Sequence, residues 1–162
     1  MRVAILTASD TGAAGAREDL SGREIRTMLE AAGYTVTAQQ LLPDDRAQLA
    51  QAMRAIADDG LADLILTTGG TGLSPRDWTP EATLDVAERL VPGIAEAMRA
   101  YSMQFTPRAM LSRAVSVIRG QTLIINLPGS PKAVRECLEY LLPALGHGLE
   151  ILTGAAGNCA RT

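Results

Sequence analysis

Apolar residues along this chain alternate between short continuous runs and longer segments in which they recur every three or four positions. Residues 2–7 are a largely apolar run, typical of a strand buried on both faces, and residues 34–42 and 63–67 are predicted to be further strands. The segments between them carry the apolar spacing of amphipathic helices, as at Ile25 and Leu29. This alternation predicts an α/β fold, a three-layer α/β/α sandwich with a mostly parallel central sheet.

Capping residues predict where several helices begin. Ser21, Thr79 and Ser130 each carry a hydroxyl that can accept a hydrogen bond from a free N–H of the first helical turn. A proline directly follows Thr79 and Ser130, in the first helical position that proline favours. Nearer the C-terminus, two β-like runs flank Gly120 and predict a hairpin. These runs are residues 114–119 and 121–126.

The length of 162 residues predicts a single domain over residues 1–153, followed by a short flexible tail at 154–162. A net charge of −3 and an aromatic content of 3% argue against nucleic acid as a partner. No segment has the length of a membrane helix or the pattern of a secretory leader, so the cytoplasm is the expected location. Two cysteines, Cys137 and Cys159, and one histidine, His147, exclude a disulfide framework and a multi-histidine metal site.

Four loops that follow β-like runs contain polar residues or glycines. They are residues 7–10 (TASD), 42–45 (LPDD), 67–77 (TTGGTGLSPRD) and 126–132 (NLPGSPK). In an open α/β sheet, ligands bind outside the carboxyl ends of the parallel strands. We therefore expect these loops to converge on one site.

The 67–72 loop contains Gly69, Gly70 and Gly72 beside Thr71. Glycines let backbone N–H groups turn toward an anion, and we interpret the loop as a binding site for a phosphate-bearing ligand. It lacks the Gly-Lys-Ser/Thr ending of a Walker A loop and the spacing of the dinucleotide-binding fingerprint. A plain strand-to-helix turn with positive φ is the alternative. The polar loop that follows favours the ligand site.

A second anion site is predicted where the last helix begins, because Ser130 as cap leaves free N–H groups at a helix N-terminus. Lys132 is the only lysine among fifteen basic residues, and it lies in the first turn, where a cation opposes the helix dipole. A nearby ligand charge would account for its position, and so would a solvated surface. The candidate ligand-binding residues of this segment are Asn126, Pro128, Gly129, Ser130, Pro131 and Lys132.

Asp44 and Asp77 are the carboxylates that we predict to be catalytic. Magnesium bound to a nucleotide is typically held by one or two carboxylates together with phosphate oxygens and waters. Asp44 has an alternative role as a helix cap, for which Asp45 competes, and Asp10 has an alternative role in a turn. Trp78 could stack on a flat ring or cover a subunit contact, but an anchor that pins its loop to the core is the preferred interpretation.

Taken together, these motifs resemble the molybdopterin adenylyltransferase family, which includes the bacterial MogA and MoaB proteins and the G domain of gephyrin. The similarity is carried by TTGGTG at 67–72, PRDWTPEAT at 75–83, TPRAMLSR at 106–113 and LIINLPGSPKAV at 123–134. Ser9, Asp10 and the loop at 42–44 also match. The resemblance covers nearly the whole chain.

The resemblance implies a reaction in which molybdopterin and Mg-ATP form adenylylated molybdopterin and pyrophosphate. Asp44 and Asp77 match the family's two catalytic aspartates, which act through Mg²⁺ and the ATP phosphates. The glycine loop, residues 126–132, Ser9 and Asp10 are expected to hold pterin and phosphate groups. Family members are typically trimers, so a homotrimer is expected here, with hand-off of the product to a molybdate-inserting protein.

Thr11 departs from the family pattern, because many members have an arginine after the Ser-Asp pair. Two alternatives stay open beside the adenylyltransferase. One is a molybdopterin-binding protein without catalysis, used for storage or hand-off, which would not need the carboxylate of Asp77. The other is a different enzyme of the same fold, such as the molybdate-inserting protein, but a single domain of this length argues against it.

Overall fold

A six-stranded sheet forms the centre of the computed structural model, which describes residues 1–155. The strands are β1 (Arg2–Ala8), β2 (Thr35–Leu42), β3 (Leu64–Thr68), β4 (Arg89–Leu90), β5 (Ser116–Arg119) and β6 (Thr122–Leu127). The helices are α1 (Asp10–Ala13), α2 (Leu20–Ala31), α3 (Arg46–Asp58), α4 (Thr79–Leu84), α5 (Pro92–Ser102) and α6 (Pro131–Leu152), with a 3-10 helix at Pro107–Leu111. The strand order is β2-β1-β3-β6-β5-β4.

Four of the six strands are parallel. β1, β2, β3 and β6 share one direction, β5 runs antiparallel to β6, and β4 runs antiparallel to β5. The mostly parallel sheet is therefore confirmed, and the predicted hairpin around Gly120 is the β5–β6 pair. β4 is absent from the prediction, because a strand of two residues is too short to show a period.

Helices cover both faces of the sheet, and each layer encloses its own hydrophobic core. Val3 and Ile5 of β1 pack into the core that includes α2, α5 and α6, whereas Ala4 and Leu6 pack into the core under α3 and α4. Alternate side chains of a strand point to opposite faces, so a strand covered on both sides is apolar throughout. This explains the unbroken apolar run in β1 and confirms the three-layer sandwich.

The predicted cap of α2 is wrong by two residues. Asp19 caps this helix, since its Oδ1 accepts a hydrogen bond of 2.8 Å from the N–H of Gly22. Ser21 lies inside the first turn, and its hydroxyl donates to the carbonyl of Gly129 at 2.7 Å. Aspartate and serine are comparable caps, and the choice between them depends on this contact with a loop over a hundred residues away.

The other two predicted caps have different outcomes. Thr79 is the first helical residue of α4 and caps nothing, because the N-cap position belongs to Trp78. Ser130 is confirmed as the cap of α6, and its Oγ accepts a hydrogen bond of 3.2 Å from the N–H of Ala133. Pro131 follows in the first helical position, as predicted.

The last predicted segment, the tail at 154–162, lies outside the described residues apart from its first two positions, and so does Cys159. Cys137 is buried on the inner face of α6, as the helical pattern predicts. Within residues 1–155, no helix combines the length and the apolar character needed to cross a membrane.

Candidate active site

The four polar loops meet at the carboxyl edge of the parallel strands. Asp10 and Asp44 join two of them, because the N–H of each donates to the carboxylate of the other, at 2.9 and 3.0 Å. Thr68, at the end of β3, donates its hydroxyl to the carbonyl of Pro128 at 2.6 Å. The predicted convergence of the loops is therefore confirmed, and each loop is tied to a neighbour by hydrogen bonds.

The glycine loop begins with two residues in the left-handed region. Gly69 has φ of 87° and Gly70 has φ of 64°. A Cβ added to Gly69 would lie 2.3 Å from the carbonyl oxygen of Ala8, so the loop passes directly against the end of β1. The tight turn that was the alternative interpretation is thus present. The binding of a phosphate by the same loop stays a prediction.

Asp44 does not cap a helix, which was the alternative to its predicted catalytic role. Asp45 caps α3 instead, accepting a hydrogen bond of 2.8 Å from the N–H of Gln48. The Asp44 carboxylate faces the glycine loop, since a Cβ added to Gly70 would lie 3.1 Å from its Oδ1. Burial raises the pKa of Asp44 above its ordinary value, and the negative charges of Asp10 and Asp77 add to the increase.

Asp77 lies at the other end of the glycine loop. Its Oδ2 accepts a hydrogen bond of 2.9 Å from the N–H of Ser74, and a Cβ added to Gly72 would lie 2.9 Å from the same oxygen. Asp44 and Asp77 therefore flank the loop, one near Gly70 and one near Gly72. Within residues 1–155, no three carboxylate, histidine or cysteine side chains are grouped closely enough to hold a metal ion by themselves.

Arg76 occupies a part of this site that sequence reasoning did not predict. Its Nε and Nη2 each donate to one carboxylate oxygen of Asp10 at 2.9 Å, which joins the loop after β3 to the loop after β1. These hydrogen bonds lower the pKa of Asp10, and the positive charge of Arg76 also opposes the rise in the pKa of Asp44. Its place beside Asp77 in a polar loop is the feature of the sequence that could have identified Arg76 as part of the site.

Trp78 does not pin its loop to the core. Its side chain is 40% exposed, and the guanidinium of Arg46 lies 5.9 Å from the centre of its ring. Arg46 is held by two hydrogen bonds of 2.7 Å to the carboxylate of Asp85. The preferred interpretation of Trp78 as a core anchor is therefore wrong.

A polar cleft of about 180 Å³ opens between the ends of β1 and β3 and the beginnings of α2 and α6. It brings together residues of three of the predicted loops, although the Oγ of Ser9 is also the cap of α1, accepting the N–H of Gly12 at 3.1 Å. The residues that line it include Ser9, Arg17, Ser21, Gly69, Gly129 and Pro131. Arg17 is a cation in this cleft that sequence reasoning did not single out.

A second, more apolar cavity of about 90 Å³ lies between α5, the 3-10 helix and α6. Ser102, Ser112 and Pro128 are among its lining residues. Since Pro128 lines this cavity and Gly129 lines the polar cleft, the two spaces lie on either side of the loop between β6 and α6.

The prediction of Asn126 as a ligand-binding residue needs correction. Its side chain is fully buried, and its Nδ2 donates to the hydroxyls of Thr67 and Thr83 at 2.9 and 2.8 Å. Its Oδ1 accepts a hydrogen bond of 3.1 Å from the N–H of Val115. Asn126 thus uses its amide to join β6 to β3, α4 and the segment before β5, and offers no polar atom to a ligand.

Lys132 is a surface residue, and Thr71 is a buried one. The side chain of Lys132 is 86% exposed, and its Nζ lies 3.9 Å from a carboxylate oxygen of Glu136. Of the two interpretations of this lysine, the structure favours the solvated one. The carbonyl of Thr71 accepts a hydrogen bond of 2.9 Å from the N–H of Arg113, so its backbone fixes the glycine loop.

Comparison with known proteins places the chain in a family. A family model described as "Probable molybdopterin binding domain" matches residues 4–147. The chain belongs to this family. Molybdopterin adenylyltransferase from Helicobacter pylori strain J99 is 39% identical over 158 residues, covering 95% of this chain and 89% of that protein. The enzyme of the same name from Escherichia coli K12 is 42% identical over 149 residues, covering 91% and 76%.

Solved structures agree with this family assignment. The molybdopterin biosynthesis enzyme MoaB from Thermus thermophilus superposes with a TM-score of 0.89 at 51% identity, over 94% of this chain and 96% of that one. A MogA structure superposes with the same TM-score at 39% identity, covering 94% and 99%. The chain therefore has the MogA/MoaB fold along most of its length.

The buried amide of Asn126 generates a prediction about stability. Asn126→Leu should lower the free energy of unfolding by about 3 kcal/mol, because it removes three interior hydrogen bonds and leaves the Thr67 hydroxyl and the N–H of Val115 without partners. Thr122→Val is a matched control that removes only the hydrogen bond of 2.8 Å to the carbonyl of Ala62, and should cost about 1 kcal/mol. Urea unfolding of the three proteins measures both values. Equal costs would contradict the central role of Asn126.

The charges around Asp44 generate a prediction about its pKa. Arg76→Gln should raise the pKa of Asp44, because it removes a positive charge that favours the ionised carboxylate. Asp77→Asn should lower the same pKa, because it removes a negative charge. Carbon-13 NMR titration of the Asp44 carboxyl in both variants checks the opposite signs. Shifts in the same direction would refute the charge arrangement.

Proposed function

We propose that this molybdopterin-binding chain is a molybdopterin adenylyltransferase, a nucleotidyltransferase of molybdenum cofactor biosynthesis. A phosphate oxygen of molybdopterin attacks the α-phosphorus of ATP, the bond to the β-phosphate breaks, and pyrophosphate leaves. The single observation that carries this proposal is the placement of Asp44 and Asp77 on either side of the glycine loop. Two relatives that are about 40% identical, from Helicobacter pylori and Escherichia coli, are named molybdopterin adenylyltransferase.

Asp44 and Asp77 are the residues that would hold Mg²⁺ together with ATP. Two carboxylates supply the hard oxygen ligands that magnesium favours. The phosphates of ATP would supply the further oxygen ligands, because the described residues contain no group of three ligating side chains. When bound, the ion would neutralise charge on the triphosphate during transfer. Asp10 does not join them, since both of its oxygens are engaged by Arg76.

The remaining residues position the two substrates. Backbone N–H groups at Gly69 and Gly70 turn at the strand edge, where they can donate to phosphate oxygens. In our proposal the apolar cavity holds the pterin and the polar cleft holds phosphate, with Pro128 lining the first and Gly129 the second. Positioning of this kind is the main contribution that proteins make to nucleotidyl and phosphoryl transfer.

The oligomeric state, the location and the acceptor of the product are part of the same proposal. We infer that the chain acts as a homotrimer in the cytoplasm and hands its product to a molybdate-inserting protein. The family resemblance supports the homotrimer and the hand-off. A non-catalytic molybdopterin-binding protein is the second candidate function, favoured by the two cavities, which could hold the pterin and its phosphate without any ATP.

One substitution separates catalysis from binding. Asp77→Asn should reduce ATP-dependent pyrophosphate release to background, because the neutral amide no longer supplies a carboxylate to the metal-bound nucleotide. Molybdopterin binding should remain close to that of the wild type. Pyrophosphate release measures the first property, and fluorescence titration with molybdopterin measures the second.

Asp58→Asn is the matched control for this substitution. Asp58 pairs with Arg119 at the end of α3, outside the loops of the site, so its loss should leave turnover unchanged. Wild-type protein that binds molybdopterin but forms no adenylylated product would decide for the binding-only function. Full activity of Asp77→Asn would refute the role of that carboxylate.

A further inference from the structure

Arg113 connects the segment before β5 to the loop that carries Asp77. Its Nε donates to the carbonyl of Gly72 at 2.7 Å, and its Nη2 donates to the carbonyl of Asp77 at 2.5 Å. Its own N–H donates to the carbonyl of Thr71 at 2.9 Å. Arg113 therefore holds three carbonyl groups of the 71–77 loop, those of Thr71, Gly72 and Asp77.

The 71–77 loop has few other attachments to the rest of the protein. The hydrogen bonds between Ser74 and Asp77 lie within the loop and fix only its local turn. Among residues 1–155, the other hydrogen bonds from this loop to the rest of the chain are those of the exposed Arg76 side chain to Asp10. The base of the loop is closed by the N–H of Thr79, which donates to the carbonyl of Gly70 at 3.1 Å, and Arg113 is the side chain that fixes the Asp77 backbone above it.

Glu81 orients the guanidinium of Arg113. It lies in the first turns of α4, and its Oε1 forms an ion pair with Nη1 of Arg113, while its Oε2 is buried and has no hydrogen-bond partner in the described chain. The ion pair leaves Nε and Nη2 directed at the two loop carbonyls. A guanidinium can reach three acceptors in fixed directions, and a lysine ammonium cannot reproduce this planar fork.

We propose that Arg113 is a positioning residue for adenylyl transfer. It acts through the backbone of Gly72 and Asp77 and sets the distance between the glycine loop and the Asp77 carboxylate. It contacts neither the reacting phosphates nor the pterin. This inference rests on the proposed adenylyltransferase function for its effect on turnover, but the anchoring of the loop is a property of the free protein.

Three variants test the proposal. Arg113→Lys removes the hydrogen bonds to both carbonyls. Glu81→Gln removes the ion pair but keeps a side-chain oxygen that can accept from Nη1 and orient the guanidinium, so both carbonyl hydrogen bonds remain. Arg119→Lys is the matched control, since Arg119 also joins a carboxylate, that of Asp58, to a backbone carbonyl, that of Val86, but lies far from the loop. Arg113→Lys and Arg119→Lys each lose an arginine–carboxylate pair and hydrogen bonds to backbone carbonyls, so similar decreases in thermal stability are expected for these two, and a smaller decrease for Glu81→Gln.

The expected kinetic result differs between the three. Arg113→Lys should lower kcat by roughly 100-fold, the loss that a displacement of ~1 Å can produce in a reacting group. Its Kd for molybdopterin should stay near the wild-type value. Arg119→Lys should keep wild-type turnover at a thermal stability comparable with that of Arg113→Lys, and Glu81→Gln should lose far less activity than Arg113→Lys. A merely structural role would lower turnover in proportion to stability in all three.

Amide hydrogen exchange supplies a readout that does not depend on catalysis. Exchange in residues 71–77 should accelerate in Arg113→Lys and remain at the wild-type rate in Arg119→Lys. Unchanged exchange in Arg113→Lys, an unfolded Arg113→Lys protein, or equal losses of turnover in Arg113→Lys and Glu81→Gln would overturn the proposal. Inactive wild-type protein with accelerated exchange in Arg113→Lys would instead refute the proposed reaction and leave the anchor established.

Discussion

Parallel pairing of β1, β3 and β6 in a common register is the constraint on which the site depends. Thr7 of β1 lies opposite Thr68 of β3, which lies opposite Leu127 of β6. All three strands therefore end at the same level, and the chain turns out of the sheet in three adjacent loops. The glycine loop can pass against the end of β1 only because Gly69 carries no side chain to meet the carbonyl of Ala8. The register thus brings together residues that are far apart in sequence.

The fold was predictable from the sequence because the apolar patterns that indicate its strands and helices are local. Continuous apolar runs arise in strands that are covered on both faces, and residues 2–7 show such a run for a physical reason that needs no tertiary detail. Asp44 and Asp77 could be singled out in the same way, since each follows a strand that ends at the sheet edge where ligands bind in such folds. Caps were predicted less well. Ser21 and Asp19 are equally suited to capping by local chemistry, and only the carbonyl of Gly129 decides between them.

The residues that sequence reasoning missed or misassigned act over long separations. Asn126 looks like a ligand-binding residue because it follows a strand within a polar loop, yet its amide is used by two threonines and a backbone N–H. Arg76 and Arg113 lie in the family motifs at 75–83 and 106–113, but in a chain with fourteen arginines nothing local assigns either of them a role. Their partners are a carboxylate 66 residues away and carbonyls 36 and 41 residues away. Such partners become visible only when the loops are placed in space.

The charges at the sheet edge support our proposal that ATP binds together with a divalent cation. Asp10, Asp44 and Asp77 lie close enough for their charges to interact, and Arg76 is committed to Asp10 through two hydrogen bonds. Asp44 and Asp77 have no ion-pair partner among the described residues, and burial raises the pKa of Asp44. Free ATP, with its own negative charge, would be repelled by two such carboxylates. A divalent cation on the phosphates reverses that repulsion, so the same arrangement that disfavours ATP alone favours Mg-ATP.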